Sequence, residues 1–293
     1  MEGEGFLLLC SHLGNPQRRP LTTSQMRLLC KRVLDHGVFA REGELTLKEL
    51  AALGYGGAFA QHILDLLEED ALLKRYLQKA ANRKCVPITR QNPVYPVSVR
   101  KKLALDSPGC LWSKGDLAIL KTPMIALVGC RALDDKNRAF AEEAGKQAAL
   151  QGFTLVSGNA TGADQTAQRS CLAHGGKVIC VIADALHSHL EEPNILYLSE
   201  EDYDMAFSPY RALHRNRVIH ALGAGVLVAQ SRNGQGGTWS GTTQNLQSGW
   251  SPVCVYQDKS LGAQALCGMG ARPIGMEQLA DLAGLFDQEP SLI

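Results

Sequence analysis

Several things are missing from this sequence. No apolar run approaches the ~20 residues that a membrane-spanning helix needs, and the acidic start Met1-Glu2-Gly3-Glu4 lacks the basic flank of a secretory signal. Both absences predict a cytoplasmic chain with no membrane partner. There is no Cys-x-x-Cys pair. The nine cysteines are scattered, and Cys180 and Cys254 sit inside apolar runs, so they read as reduced core residues, not as disulfides or zinc ligands. Net charge is nearly absent, formally +1, so a nucleic-acid surface on this chain must be a local patch. What is present is ordinary for a globular protein. The 293 residues are 45% apolar and 20% charged, enough for one main domain and a smaller one.

The stretch from Met124 to Val181 organises the rest. Three apolar runs, Ile125–Val128, Phe153–Val156 and Val178–Ile182, each fit a strand buried on both faces. They alternate with segments long enough for crossover helices, which predicts an α/β chain with a doubly wound, mostly parallel sheet. The first two runs end in Gly129-Cys130-Arg131 and Ser157-Gly158, with helices after them. Glycine there lets a ligand approach the backbone, the next helix offers free N–H groups to an anion, and Arg131 adds a cation.

Residues 1 to about 82 read as a helical domain, with helical spacing over Gln25–Leu34 and Ile63–Leu77. Inside it, Gly54-Tyr55-Gly56 followed by Ala60 and Ile63 fits a helix-hairpin-helix motif that presents backbone N–H groups to a phosphate. A plain glycine turn between packed helices, with Ala60 and Ile63 as core, fits the same short pattern better. Residues 83 to 122 carry Pro93, Pro96 and Pro108, which exclude a long helix. This segment reads as a linker packed on the sheet, with an edge strand around Leu111–Trp112. The remaining domain runs from 123 to 293.

Asp134-Asp135 can cap a helix to about Leu150, and Thr161-Gly162-Ala163-Asp164 opens the next, which ends near His174. Asp164, at a helix start, reads as a cap more readily than as a catalytic acid. The piece from Ala183 to Leu198 reads as irregular. His187 and His189 within it could bind a metal, but no third ligand is evident and a loop with incidental histidines fits better. Asp202 to Ala221 reads as helical, broken at Ser208-Pro209. It holds Arg211, His214, Arg215, Arg217 and His220, the densest basic cluster of the chain. A solvated face is one reading. However, the apolar pair Val218-Ile219 anchors the segment, and like charges fixed together repel unless an anion lies between them. A further buried strand, Gly225–Ala229, runs into Ser231-Arg232-Asn233-Gly234-Gln235-Gly236-Gly237-Thr238, a third glycine loop. Another strand follows at Val253–Tyr256, then helices around Leu261–Met269 and Met276–Leu285. In an open parallel sheet such loops meet in one crevice at the strand ends, so a phosphate-rich ligand is expected.

The succession VGCR, SGNATGAD, GGKVICVI, HRNRVIHAL, GVLVAQS and GQGGT resembles the DprA/Smf family of DNA-processing proteins, a Rossmann-like group. The entry segment with Tyr95-Pro96 and the closing stretch GAQALCGMGARPI are similar too, so the resemblance covers roughly residues 86 to 285. It implies a non-catalytic binder of single-stranded DNA that forms homodimers and helps load a RecA-type recombinase during natural transformation, with no cofactor and no metal. Carried over by position, it implies a phosphate groove of Gly129, Arg131, Ser157, Gly158, Gly162, Asp164, Lys177, Arg215, Asn216 and Arg217, together with Gly236, Gly237 and Thr238. Gly54 and Gly56 would be a secondary DNA contact.

The chain departs from the family pattern. Gly236-Gly237-Thr238-Trp239-Ser240-Gly241-Thr242 replaces the usual SGSLxTA loop, and Gln230 stands where an acidic residue is expected. The segment before Ser199-Glu200 is short, and the chain ends at Ile293 without room for the winged-helix domain of many members. A specialised paralogue in a mobile element or defence locus is compatible with this. The alternative from a different class is a small-nucleotide sensor or hydrolase. Against it, Thr243, Gln244 and Asn245 follow the third loop, and no carboxylate stands there as a general acid. A scaffold with a vestigial pocket is a third reading.

Overall fold

The computed structural model describes residues 3–36 and 45–286. Nine strands form one sheet: β1 (Val86–Thr89), β2 (Cys110–Gly115), β3 (Met124–Val128), β4 (Thr154–Ser157), β5 (Lys177–Val181), β6 (Ile195–Ser199), β7 (Val226–Val228), β8 (Val253–Tyr256) and β9 (Arg272–Ile274). Their order is β1-β2-β6-β5-β4-β3-β7-β8-β9. The seven strands from β6 to β9 pair in parallel, while β1 and β2 join antiparallel at one edge. The expected doubly wound sheet is therefore present. From β3 the chain winds outward through β4, β5 and β6, then returns to β7 on the other side of β3. That reversal opens a crevice beyond the carboxyl ends of β3 and β7.

The strands are buried on both faces because helices cover both. One face is covered by α7 (Asp135–Leu150) and α8 (Ala163–Ala173), whose Phe140, Ala144 and Ala167 pack on Ile125, Leu127 and Leu155. The other carries α6 (Val97–Leu103), α10 (Asn216–Leu222) and α12 (Leu261–Gly268), with Val99, Val218, Leu222 and Leu266 packed on Ala126, Val156 and Ile179. The N-terminal helices are α1 (Glu4–Cys10), α2 (Thr23–His36), α3 (Leu47–Ala52), α4 (Gly57–Leu67) and α5 (Asp70–Asn82). They have their own core around Leu29, Leu50, Ile63 and Leu66. They also dock on the sheet, where Tyr76 of α5 meets the Trp112 ring edge-on at 5.6 Å and donates to the Asp204 carboxylate at 2.6 Å.

Several local expectations are corrected. The segment 83–122, read as a linker with one edge strand, supplies two strands of the sheet. Ile195–Ser199, read as irregular, is the buried strand β6. Its short run lies beside loop residues that hide it, and β2 and β5 pair with it on either side. Ile63–Leu77 is divided between α4 and α5 at Glu68-Glu69. Residues 202–208 are not helical; helix begins at α9 (Pro209–His214). Asp134 occupies the position before α7, but its side chain makes no cap bond and accepts from the Gln230 side chain at 2.7 Å instead. A 3-10 turn over Glu277–Ala280 and α13 (Leu282–Phe286) replace the single closing helix.

Candidate nucleic-acid interface

Three loops and one helix meet at the crevice. The β3 loop turns at Gly129, where an added Cβ would stand 2.5 Å from the Cβ of Ala163. The β4 loop ends at Gly162, with φ of +87° and room for no Cβ, since the Arg131 carbonyl oxygen would be 2.3 Å away. Only glycine tolerates both the left-handed backbone and that approach. The Ala163 N–H then donates to the Cys130 carbonyl at 3.2 Å, and the Cys130 N–H to that of Gln230 at 3.0 Å. The first loop is thus held between the other two, and Arg131 is left exposed on their common rim. The β7 loop opens α11 (Gly236–Ser248), whose first turn has no side-chain cap, so its N–H groups face outward at the positive end of the helix.

These walls enclose a cavity of about 720 Å³, within the usual size of small-ligand sites. Gly129, Arg131 and Asp164 line one side, and Arg215, Asn216, Gly236, Gly237 and Thr238 the other. The Asn216 amide donates to the Gly237 carbonyl at 3.0 Å, tying α10 to the third loop. Ser157, Gly158 and Gly162 lie behind this wall, not on it. The buried Ser157 hydroxyl accepts from the Gln168 amide, between β4 and α8.

The electrostatics are lopsided. Arg215 is 7% exposed and donates through Nη1 to the Gly158 carbonyl at 2.6 Å. Burial lowers its pKa, and the Asp164 carboxylate opposes that. Asp164 is not the helix cap expected of it. Its Oδ2 accepts from the N–H groups of Gly158 at 3.0 Å and Ala160 at 3.2 Å, so it draws the preceding loop onto the helix start. Burial raises its pKa to about 6, against the pull of Arg215. Arg131 and Arg232, both exposed, complete the cationic side. Three guanidinium groups therefore face one carboxylate whose charge is itself disfavoured. On the floor lies His220, whose Nδ1 has no partner and whose pKa burial lowers to about 4, so the ring is neutral.

Other sequence-predicted residues lie elsewhere. Lys177 opens β5, paired with Thr154 at the start of β4, and so stands at the opposite end of the sheet from the cavity. Arg217 turns away from Arg215 into a second cleft of about 400 Å³ under the N-terminal helices. There it donates to the Asp106 carbonyl and, at 2.7 Å, to the buried Glu200 carboxylate. Gly54 adopts φ of +79° as a turn requires, but its N–H donates to the Ala51 carbonyl and that of Tyr55 to Leu50. The Gly54 carbonyl accepts from Arg32 Nη1 at 3.2 Å, and neither Gly54 nor Gly56 lines the cavity. His189 pairs with Asp184 at 3.1 Å, and no group of three or more potential metal ligands is found among the described residues. No helix among them is long and apolar enough to cross a membrane. Sequence reasoning missed Arg232, which lies inside a loop already singled out. Its charge reads like any solvated arginine until the loop's fold points it inward.

Comparison with known proteins places this geometry. DNA processing protein DprA of Streptococcus pneumoniae is 34% identical over 137 residues, 43% of this chain and 48% of that protein. The chain spans about half the length of the curated relatives it matches. The crystal structure of DNA processing protein A from the same organism superposes with a TM-score of 0.72 at 25% identity, covering 92% of this chain and 99% of that one. A structure of the Helicobacter pylori protein, described for its single-stranded DNA binding mode, gives 0.59 at 23% identity over 69% and 97% of the two chains, a likeness of fold. A model of the family DNA recombination-mediator protein A matches residues 87–284, from β1 to α13, every loop of the cavity included. The chain belongs to the DNA recombination-mediator protein A family.

Proposed function

We propose that this chain binds single-stranded DNA at the strand-end cavity, as a non-catalytic recombination mediator. The observation that carries the reading is the convergence of Arg131, Arg215 and Arg232 with the uncapped start of α11 on one opening. Such a site neutralises phosphates without reading base edges. Family membership supports it, as does the single-stranded DNA binding described for the H. pylori protein. In this reading the chain works as a homodimer with a RecA-type recombinase, in DNA uptake or in a mobile-element or defence locus. Binding measured on single-stranded, duplex and RNA oligomers at two salt concentrations tests it. A single strand should be preferred, and affinity should fall with salt because bound phosphates release counterions. A salt slope near zero would remove the reading.

A second reading, a hydrolase or sensor of a small nucleotide, draws on one observation. Asp164 is a carboxyl with a pKa near 6 inside a nucleotide-sized cavity, the property a general acid needs. Its Oδ2 is already engaged by two backbone N–H groups, which favours a structural role. Release of free base from nucleoside monophosphates would support this alternative.

A further inference from the structure

The short segment between the cavity and the second cleft carries something that phosphate binding does not require. Among the described residues, Phe207 and Tyr210 are the two exposed aromatic side chains, at 56% and 68%; the others are buried or half-buried. They stand three residues apart, a reach of at most ~10 Å. Phe207 lines the same cavity as Arg131 and Arg215, while Tyr210 lines the adjoining second cleft beside His214 and Arg217.

Both rings are held on rigid backbone. Arg211 donates through Nη1 to the carbonyls of Ala183 at 2.9 Å, Met205 at 2.7 Å and Ala206 at 2.6 Å, which fixes the chain just before Phe207. Ser208 caps α9 by accepting from the Arg211 N–H at 3.1 Å, and Pro209 presets the first helical turn. Tyr210 lies nearly parallel to the His214 ring, with centroids 5.5 Å apart and planes 14° apart. His214 Nδ1 is in turn 2.7 Å from the buried Glu200 carboxylate, the group that also holds Arg217. One face of Tyr210 is therefore backed by a pinned ring, while the side chain as a whole stays open to solvent.

We propose that Phe207 and Tyr210 are a stacking platform for bases of the same strand whose phosphates enter the arginine cavity; the inference rests on the single-strand reading above. A flat ring already stacked on one side accepts another flat ring on the other at little entropic cost. Base–aromatic stacking tolerates any sequence, as a general single-strand binder needs. Duplex DNA, with its bases already stacked on each other, cannot use the platform, so the rings would also supply the preference for single strands.

The test compares a mixed-sequence single strand with an abasic oligomer of equal length, by fluorescence anisotropy, on the full chain. The variant carrying Phe207→Ala and Tyr210→Ala should lose about ten-fold or more in affinity for the base-bearing strand. It should keep the wild-type salt slope and the wild-type affinity for the abasic one. Tyr210→Trp should retain binding, and Arg131→Ala should weaken both oligomers. If the double variant binds the base-bearing strand as wild type does while Arg131→Ala weakens it, the platform is overturned and the phosphate site stands. Equal loss on both oligomers also overturns it. So does a change of oligomeric mass in light scattering without a base-dependent effect, which would make these rings a protein contact. Failure of the wild type to bind either oligomer overturns the platform and the single-strand reading together.

Discussion

The Arg215 guanidinium occupies the space that a side chain on Gly158 would need. An added Cβ would lie 2.4 Å from Nη2, while Nη1 donates to the carbonyl of that same glycine. The cavity's buried cation is thus seated on a residue chosen for having no side chain. Gly158→Ala is expected to push the guanidinium out of its seat. Because the obstruction is the far end of a flexible side chain, the fold should survive with a loss of roughly 1–2 kcal/mol. Affinity for single-stranded DNA should fall clearly. Thermal melts and anisotropy on the same sample separate the two effects.

Arg131 and Arg217 should behave as opposites. Arg131 is exposed on the rim, so Arg131→Ala should leave the melting temperature unchanged. It should lower affinity and reduce the log–log salt slope by about 0.7, one phosphate's share for a single strand. Arg217→Ala leaves Glu200 buried beside His214 with its main cation gone. Burial pushes that carboxyl's pKa up, and at present Arg217 and His214 more than offset it. The expected cost is roughly 3 kcal/mol of stability, read in a denaturant titration.

Arg232→Ala should weaken DNA binding about as much as Arg131→Ala, although its loop carries no other charge to mark it. Lys177→Ala should change nothing measurable, because the lysine stands at the far end of β5. Equal losses from Lys177→Ala and Arg232→Ala in a side-by-side titration would contradict this assignment of the cavity.

Binding should strengthen as pH falls from 7.5 to 5. Asp164 loses its proton near pH 6 and above that repels an anion in the cavity. The dependence should shrink in Asp164→Asn, whose side-chain oxygen can still accept from the same N–H groups. Anisotropy titrations of both proteins at several pH values read the difference.

Asp202 carries a related prediction for stability. Burial raises its pKa from the ordinary 3.8 to about 6, although the His12 N–H donates to it at 2.7 Å. A carboxyl raised on folding contributes stability that is fully present below about pH 4 and is lost as pH rises through 6. Relative to Asp202→Asn, the wild type should therefore be more stable at pH 4.5 than at pH 7.5, by on the order of 2 kcal/mol. Paired denaturant titrations at the two pH values measure it.

The alternation of strands and helices, and the crevice at the strand ends, were legible in the residues alone. Strands buried on both faces show as unbroken apolar runs, and the glycines ending β3 and β4 mark where two backbones approach. The resemblance read over 86 to 285 covers nearly the same span as the family match at 87–284. β6 was harder to see, because it lies among polar loop residues and is defined by its partners on both sides.

Direction was the part that needed the folded molecule. Arg215 and Arg217 are neighbours in sequence, but two helical steps turn side chains by about 200°, so one enters the cavity and the other an ion pair under the N-terminal helices. Lys177 follows a glycine pair that looks like the other loops, yet it opens its strand where they close theirs. Five residues of strand put it roughly 16 Å from their level. Sequence spacing fixes which residues are near along the chain. Helix phase and strand polarity decide which of them share a space, and those are settled only when the sheet and its covering helices pack.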